Sequence, residues 1–225
     1  MNISVIIPAK NEAASIGDVV GRIRSAFPKA EVLVVDDGSS DRTPALARER
    51  GATVITHPQS LGNGAAVKAG ARAAQGEILV LLDQHDPADI PLLLEKLDDG
   101  YDMVVGARSS SSHANSARLA ANGIYNVIAS MITGHRIPDL TSGFRAVKAD
   151  LFRKFLYLLP NGFSYPTTIT MAFLRAGFPV TFLPIVAQRR KGKSHIKPIR
   201  DGLRFMVIIF KIATLYAPLK LFLPT

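Results

Sequence analysis

Three short polar clusters carry residue types that could do chemistry on a phosphorylated substrate. They are Pro8-Ala9-Lys10-Asn11-Glu12, Asp36-Asp37-Gly38-Ser39-Ser40-Asp41 and Asp83-Gln84-His85-Asp86. A nucleoside needs acceptors for the N–H and O–H groups of its base and ribose, on a loop tight enough for close approach. Pro8, Ala9, Glu12, Asp36, Asp37 and Gly38 are the candidates for that task, with Gly38 permitting the turn. Asp36 and Asp37 would serve equally well as turn and cap residues, as Asp often does. Carboxylates after the third run could hold a divalent cation against a diphosphate, since Mg²⁺ and Mn²⁺ take oxygen ligands. Asp86-Pro87 could instead simply open a helix.

The elements that position these clusters are legible as alternating strand and helix patterns. Short apolar runs are expected as strands at Ile3–Pro8, Glu31–Val35, Thr53–Thr56, Ile78–Leu82 and Asp102–Val105. Helical spacing covers Glu12–Ala26, Arg42–Arg50, Gly64–Ala74 and Ile90–Leu97. Strands alternating with helices predict an α/β fold, a mostly parallel central sheet with helices on both faces. Ligands of such sheets sit at the carboxyl ends of the strands. The polar clusters fall there. Beyond residue 106 the pattern predicts a helix at Arg118–Ile132, a turn-rich loop at Pro138–Arg145, a helix at Thr168–Ala176 and a strand at Val180–Leu183.

Charge is unevenly spread. The formal net charge is +9. Nine Lys/Arg and one Asp lie from Arg189 onward, which leaves the first 188 residues nearly neutral. A basic segment seeks phosphate, on nucleic acid or on anionic lipid. The apolar stretch Leu203–Ala217 decides for lipid. As a helix it would be roughly 22 Å long, too short for a hydrocarbon core of about 30 Å, and it fits an interfacial helix. An ordinary helix packed on the core is the other reading. No nucleic-acid partner is expected. The chain divides on this basis into residues 1–188 and a basic, apolar, membrane-proximal segment, 189–225. With no cysteine, a disulfide scaffold, a thiolate zinc site and a cysteine nucleophile are excluded. Met1-Asn2-Ile3-Ser4 lacks the basic flank and cleavage site of a secretory signal.

The runs VIIPAKNEAASI, VLVVDDGSSDRT, GNGAAVKAG, QHDPADIP and DLTSGFRAV occur in this order over nearly the whole chain. Together they resemble the family-2 glycosyltransferases, in particular the polyprenyl-phosphate (dolichyl-phosphate) sugar synthases. The resemblance implies the GT-A nucleotide-diphospho-sugar transferase fold, an inverting transfer and a Mg²⁺ or Mn²⁺ cofactor. It implies a nucleotide-diphosphate sugar as donor and a polyprenyl (dolichyl or undecaprenyl) phosphate as acceptor. It puts Pro8, Glu12 and Asp37 around the nucleotide, Arg108 near the diphosphate, and Asp139 and Arg145 near sugar and acceptor. Asp139 and Arg108 are thus the candidate catalytic residues, with Asp139 orienting the sugar or a cation. Arg118, Arg145, Arg189, Lys193 and Ser194 are the candidates for the acceptor phosphate. The setting it implies is the cytoplasmic face of a membrane, the chain being peripheral or anchored by its C-terminal segment; relatives often continue into transmembrane helices, so a truncated or short form is the expectation here.

The sequence departs from the family pattern at the metal site. The family reads Asp-x-Asp-x-Gln-His, whereas Asp83 here runs straight into Gln84-His85. Asp83 remains as a ligand to metal and nucleotide, and His85 is the candidate second metal ligand. The shortened loop keeps two other functions in view: a catalytically weak sugar-nucleotide-binding partner, and a transferase to a soluble acceptor. Gly62-Asn63-Gly64 begins like a dinucleotide fingerprint, but it lacks the third Gly and does not follow the first strand. A nucleotidyltransferase would carry a Gly-rich, Arg-containing loop where Ala9-Lys10-Asn11-Glu12 stands.

Overall fold

A computed structural model of the 225-residue chain describes residues 2–82, 87–108, 116–162, 164–185, 207, 210, 211 and 214. In chain order the elements are β1 Ile3–Ala9, α1 Ile16–Ala26, β2 Glu31–Asp36, α2 Thr43–Glu49, β3 Thr53–Thr56, α3 Asn63–Ala73 and β4 Ile78–Leu81. They continue with α4 Ile90–Asp98, β5 Met103–Arg108, α5 Ser116–Thr133, β6 Arg145–Lys148, α6 Ala149–Lys154, α7 Tyr165–Arg175 and β7 Val180–Ile185. Among the described residues no helix is long and apolar enough to cross a membrane.

The strands form one seven-stranded sheet in the order β3-β2-β1-β4-β6-β5-β7. All neighbours are parallel except β6, which runs antiparallel between β4 and β5. The central strands read as continuous apolar runs because both of their faces are covered. Successive side chains alternate between the two sides. Val5, Val34 and Val80 pack on one face with Ile16, Val20, Ile23 and Leu93 of α1 and α4. Ile6, Leu33, Leu79 and Val105 pack on the other with Ala66 and Val67 of α3, Phe152 of α6 and Phe173 of α7. Helix α3 lies close because Gly70 faces the sheet: a Cβ there would stand 2.5 Å from Ile6 Cγ2.

The expected strands and helices of the first 108 residues are all present, with ends shifted by up to four residues. Strand β6 and helix α6 were not legible. Residues 138–145 were expected as loop, and β6 starts at Arg145, the last of them. Its four residues begin and end in cations, so no apolar run marks it. It is held by neighbours on both sides, Leu81 and Val105 each standing opposite Arg145.

Candidate functional site

The ends of β1, β2, β4 and β5 and the start of β6 meet at one edge of the sheet. β1 delivers Pro8 and Ala9, β2 delivers Asp36, β5 delivers Arg108, and the loop before β6 delivers Asp139 and Thr141. The amide of Leu82, just past β4, donates to the carbonyl of Ile6 at 2.9 Å, which extends the β1–β4 pairing to the same edge.

The first two loops are stitched to each other. Asn11 sits at φ 54° and its side-chain oxygen accepts from the Ser40 amide at 2.8 Å. The amides of Asn11, Glu12 and Ala13 donate to Ser39 Oγ, Thr43 Oγ1 and Asp41 Oδ2. Asp41 in turn accepts from the Thr43 amide at 2.9 Å. Asp36 is buried and its Oδ1 accepts from the Ser39 amide at 3.2 Å.

Asp37 is the centre of a second network. Its carboxylate lies 2.9 Å from His57 Nδ1 and accepts from Ser60 Oγ at 2.7 Å, Leu61 N at 2.8 Å and Gly62 N at 2.9 Å. Burial pushes this carboxyl up, but the four hydrogen bonds outweigh it and hold the pKa at about 2. The sequence placed Asp37 against a nucleotide. In the structure its oxygens are filled by the 57–62 loop, and the residue shapes that loop from beneath. Gly38, at φ 70°, makes the expected turn. His57, Ser60 and Leu61 escaped the sequence reading, although His57 directly follows β3 at the same sheet edge.

The Gly62-Asn63-Gly64 entry to α3 is equally occupied. The amides of Gly64 and Ala65 donate to the carbonyls of Gly162 and Asn161 at 3.2 and 3.1 Å. A Cβ at Gly64 would collide with the carbonyl oxygen of Pro160. Glycine is needed here for backbone contact with residues 160–162.

At the other end of the edge, Arg108 and Asp139 form a bidentate pair. Arg108 Nε donates to Oδ2 at 2.8 Å, Nη2 donates to Oδ1 at 3.0 Å, and the Arg108 amide donates to Oδ2 at 3.2 Å. Nη2 also donates to Thr141 Oγ1 at 2.7 Å, and the Thr141 amide donates to Asp139 Oδ1 at 3.1 Å. Asp139 is buried, which pushes its carboxyl up, yet the hydrogen bonds and charge of Arg108 hold it below its ordinary value. The Arg108 side chain keeps 27% of its surface open. The result is a guanidinium fixed in orientation on a side chain that is not fully buried.

Arg145 departs from expectation. Its side chain is wholly buried. Nη1 donates to Thr170 Oγ1 at 3.1 Å and Nη2 donates to the Ser142 carbonyl, with the Tyr165 ring 5.9 Å from the guanidinium carbon. Burial pulls its pKa down to about 10. Ser142 Oγ donates to the Gly106 carbonyl at 2.6 Å. Arg145 therefore underpins the loop that carries Asp139 and does not face an acceptor phosphate.

The model of the family described as "Glycosyl transferase family 2" matches residues 4–156, which span all of these loops. The chain belongs to glycosyl transferase family 2. Its relatives include a dolichyl-phosphate hexose transferase of Haloferax volcanii, 33% identical over 94% of this chain and 93% of that one. A polyprenol monophosphomannose synthase of Mycolicibacterium smegmatis is 30% identical over 93% of this chain and 84% of that one. An undecaprenyl-phosphate mannosyltransferase of Micrococcus luteus is 30% identical over 87% and 88%. Among solved structures, glucosyl-3-phosphoglycerate synthase from Mycobacterium tuberculosis, in complex with Mn²⁺, UDP and phosphoglyceric acid, aligns with TM-score 0.73 at 22% identity, covering 94% of this chain and 78% of that one. The fold is GT-A, and the family-2 chain is a glycosyltransferase.

Of the residues singled out in this family-2 sequence, the fold gathers Pro8, Ala9, Glu12, Asp36, Gly38, Arg108 and Asp139 at one edge. Asp83, His85, Arg189, Lys193 and Ser194 lie outside the described residues, as does the side chain of Arg118 in α5. The boundary at residue 188 lies outside them too.

Proposed function

We propose that this glycosyltransferase moves a sugar, with inversion, from a nucleotide-diphosphate sugar to a polyprenyl phosphate at a membrane surface. The observation that carries the reading is the fixed Arg108 guanidinium at the carboxyl edge of the sheet, in a chain whose relatives are named for transfer to dolichyl, polyprenol and undecaprenyl phosphates. In this reading the nucleoside lies over Pro8, Ala9 and Asp36, beside Glu12, on a floor that Asp37 and Gly38 shape. Arg108 faces the diphosphate and stabilises the charge that develops on it as the sugar departs.

A lipid phosphate loses its second proton near pH ~6, by analogy with protein phosphomonoesters. It attacks without a strong general base. The saturation of Asp139 by Arg108 and Thr141 fits that economy: the carboxylate orients a cation and is not free to take a proton. What remains is to hold two anionic partners in line, which is a task of positioning. Arg118, Arg189, Lys193 and Ser194 are assigned to the acceptor phosphate.

A divalent cation belongs to the same reading. Glucosyl-3-phosphoglycerate synthase has been solved with Mn²⁺ and with Mg²⁺. Among the described residues no three His, Asp or Glu side chains gather into a metal site, so Asp83 and His85 are the groups assigned to hold it. One carboxylate and one imidazole suit Mn²⁺ better than Mg²⁺. Bound there, the ion would neutralise the leaving diphosphate. The basic segment 189–225 is assigned to an anionic membrane, on its cytoplasmic face.

The test is transfer from a panel of nucleotide sugars to polyprenyl phosphate with Mn²⁺ or Mg²⁺, followed by the anomeric configuration of the product. Labelled lipid-linked sugar of inverted configuration is expected. Transfer to water-soluble acceptors alone would overturn the acceptor assignment. Tight nucleotide binding with no turnover under either metal would favour a binding partner.

A further inference from the structure

Helix α5 is apolar on both sides. Its inner face, with Tyr125, Ile128, Ala129 and Ile132, packs against Ile137, Leu140, Met171 and Leu174. Its outer face presents Ile124, Val127 and Met131, which are 58%, 59% and 74% exposed. Their spacing places them on one stripe. Residues 122–133 carry no charged side chain. An exposed apolar stripe of this kind marks a contact.

We propose that the outer face of α5 lies in the interfacial layer of an anionic bilayer, a second contact beside the basic C-terminal segment. The inference rests on the acceptor being a lipid phosphate. Charge selects lipid over a second copy of the chain. From Ser109 to Pro138 there is no Asp or Glu, while Arg118 and Arg136 are present together with His113 and His135. His135 and Arg136, at the end of the helix, are exposed. An anionic surface complements such a segment, whereas two symmetry-related copies would bring its cations together.

The placement also serves the site. α5 is the excursion between Arg108 and Asp139, and it is fastened to the loop that holds Asp139. Asn126 Nδ2 donates to the Pro138 carbonyl at 2.7 Å, Asn126 Oδ1 accepts from the Leu140 amide at 3.0 Å, and Ser130 Oγ accepts from the Ile137 amide at 3.0 Å. Seating the outer face in lipid headgroups sets the height of the Arg108–Asp139 pair above the surface in which the acceptor phosphate lies.

Two full-chain triple variants test this: Ile124→Glu/Val127→Glu/Met131→Glu, and the uncharged Ile124→Ser/Val127→Ser/Met131→Ser. Tyr157→Glu, an exposed apolar position elsewhere, is the control. Cosedimentation with equimolar phosphatidylcholine and phosphatidylglycerol vesicles should fall about tenfold for both triple variants and stay unchanged for the control. Turnover of vesicle-embedded polyprenyl phosphate should fall in parallel, and turnover of detergent-dispersed acceptor should not. Undiminished vesicle binding by both triple variants would overturn the proposal. So would a drop from dimer to monomer by light scattering in the triple variants, which would make the face a self-contact. Should the chain transfer sugar to no prenyl phosphate at all, the acceptor assignment fails, and vesicle binding still decides the role of α5.

Discussion

Asp37 and Asp139 stand at two ends of the same sheet edge, both buried, both ionised, both with their oxygens filled, and they do different work. Asp37 is satisfied by a hydroxyl, an imidazole and two backbone amides of one loop. Its charge is spent on local shape. Asp139 is satisfied chiefly by one guanidinium that is itself partly open. Its charge is spent on aiming another charge. A carboxylate after a strand is therefore not informative by its type; what matters is whether its partner is backbone or a charged side chain that itself reaches the surface.

The largest effect is expected at Arg108. Arg108→Met should lower kcat about 10²–10³-fold, the range for losing one preorganised donor to developing charge, and should also lower the melting temperature, because it leaves the buried Asp139 carboxylate without its guanidinium. A variant that melts early and turns over normally would reverse the contrast. Asp37→Ala should act on stability and not directly on turnover. It strands the amides of Leu61 and Gly62 in a partly buried loop and should cost about 2–3 kcal/mol of stability by urea titration. Nucleoside-diphosphate affinity should fall only as far as the loop loosens. A large affinity loss at unchanged stability would restore Asp37 as a direct ligand.

Acid sharpens the same distinction. The Asp37 carboxyl titrates at about 2 in the folded chain against an ordinary 3.8. A depressed folded pKa means that its stabilisation is fully present above pH ~4 and is lost as pH falls towards ~2, a contribution of about 2 kcal/mol. In Asp37→Asn that part of the acid transition should vanish in urea titrations at stepped pH. The smallest effect is expected for Thr141→Val, which removes one acceptor from Arg108 Nη2. It should cost about 0.5–1.5 kcal/mol in the barrier, read as kcat with KM unchanged. No change at all would mean that Asp139 alone aims the guanidinium.

The sheet edge was legible because each polar cluster follows an apolar run, and the period of that run survives in any single sequence. The parallel order of β1 to β4 follows from the same alternation. Arg145 was misread for a physical reason. A guanidinium in a turn-rich stretch looks exposed, and nothing local announces that Thr170 and the Ser142 carbonyl will receive it. The hydrogen bonds of Asp37 were not legible because its partners lie 20 to 25 residues away, brought back by β3. Local spacing reports strand ends well and reports the satisfaction of a lone pair poorly, since the latter is settled by chain that returns from elsewhere.

The antiparallel strand β6 has a consequence for biosynthesis. β4 and β5 are neighbours in sequence but not in the sheet, because residues 145–148 stand between them. A nascent chain that has emerged as far as β5 holds two strand edges that cannot close on one another. They stay unpaired until a segment roughly forty residues younger arrives. The same late segment follows directly on the loop that brings Asp139 to Arg108. Chains released before residue 145 should therefore be sticky as well as inactive, with open edges that pair with other copies.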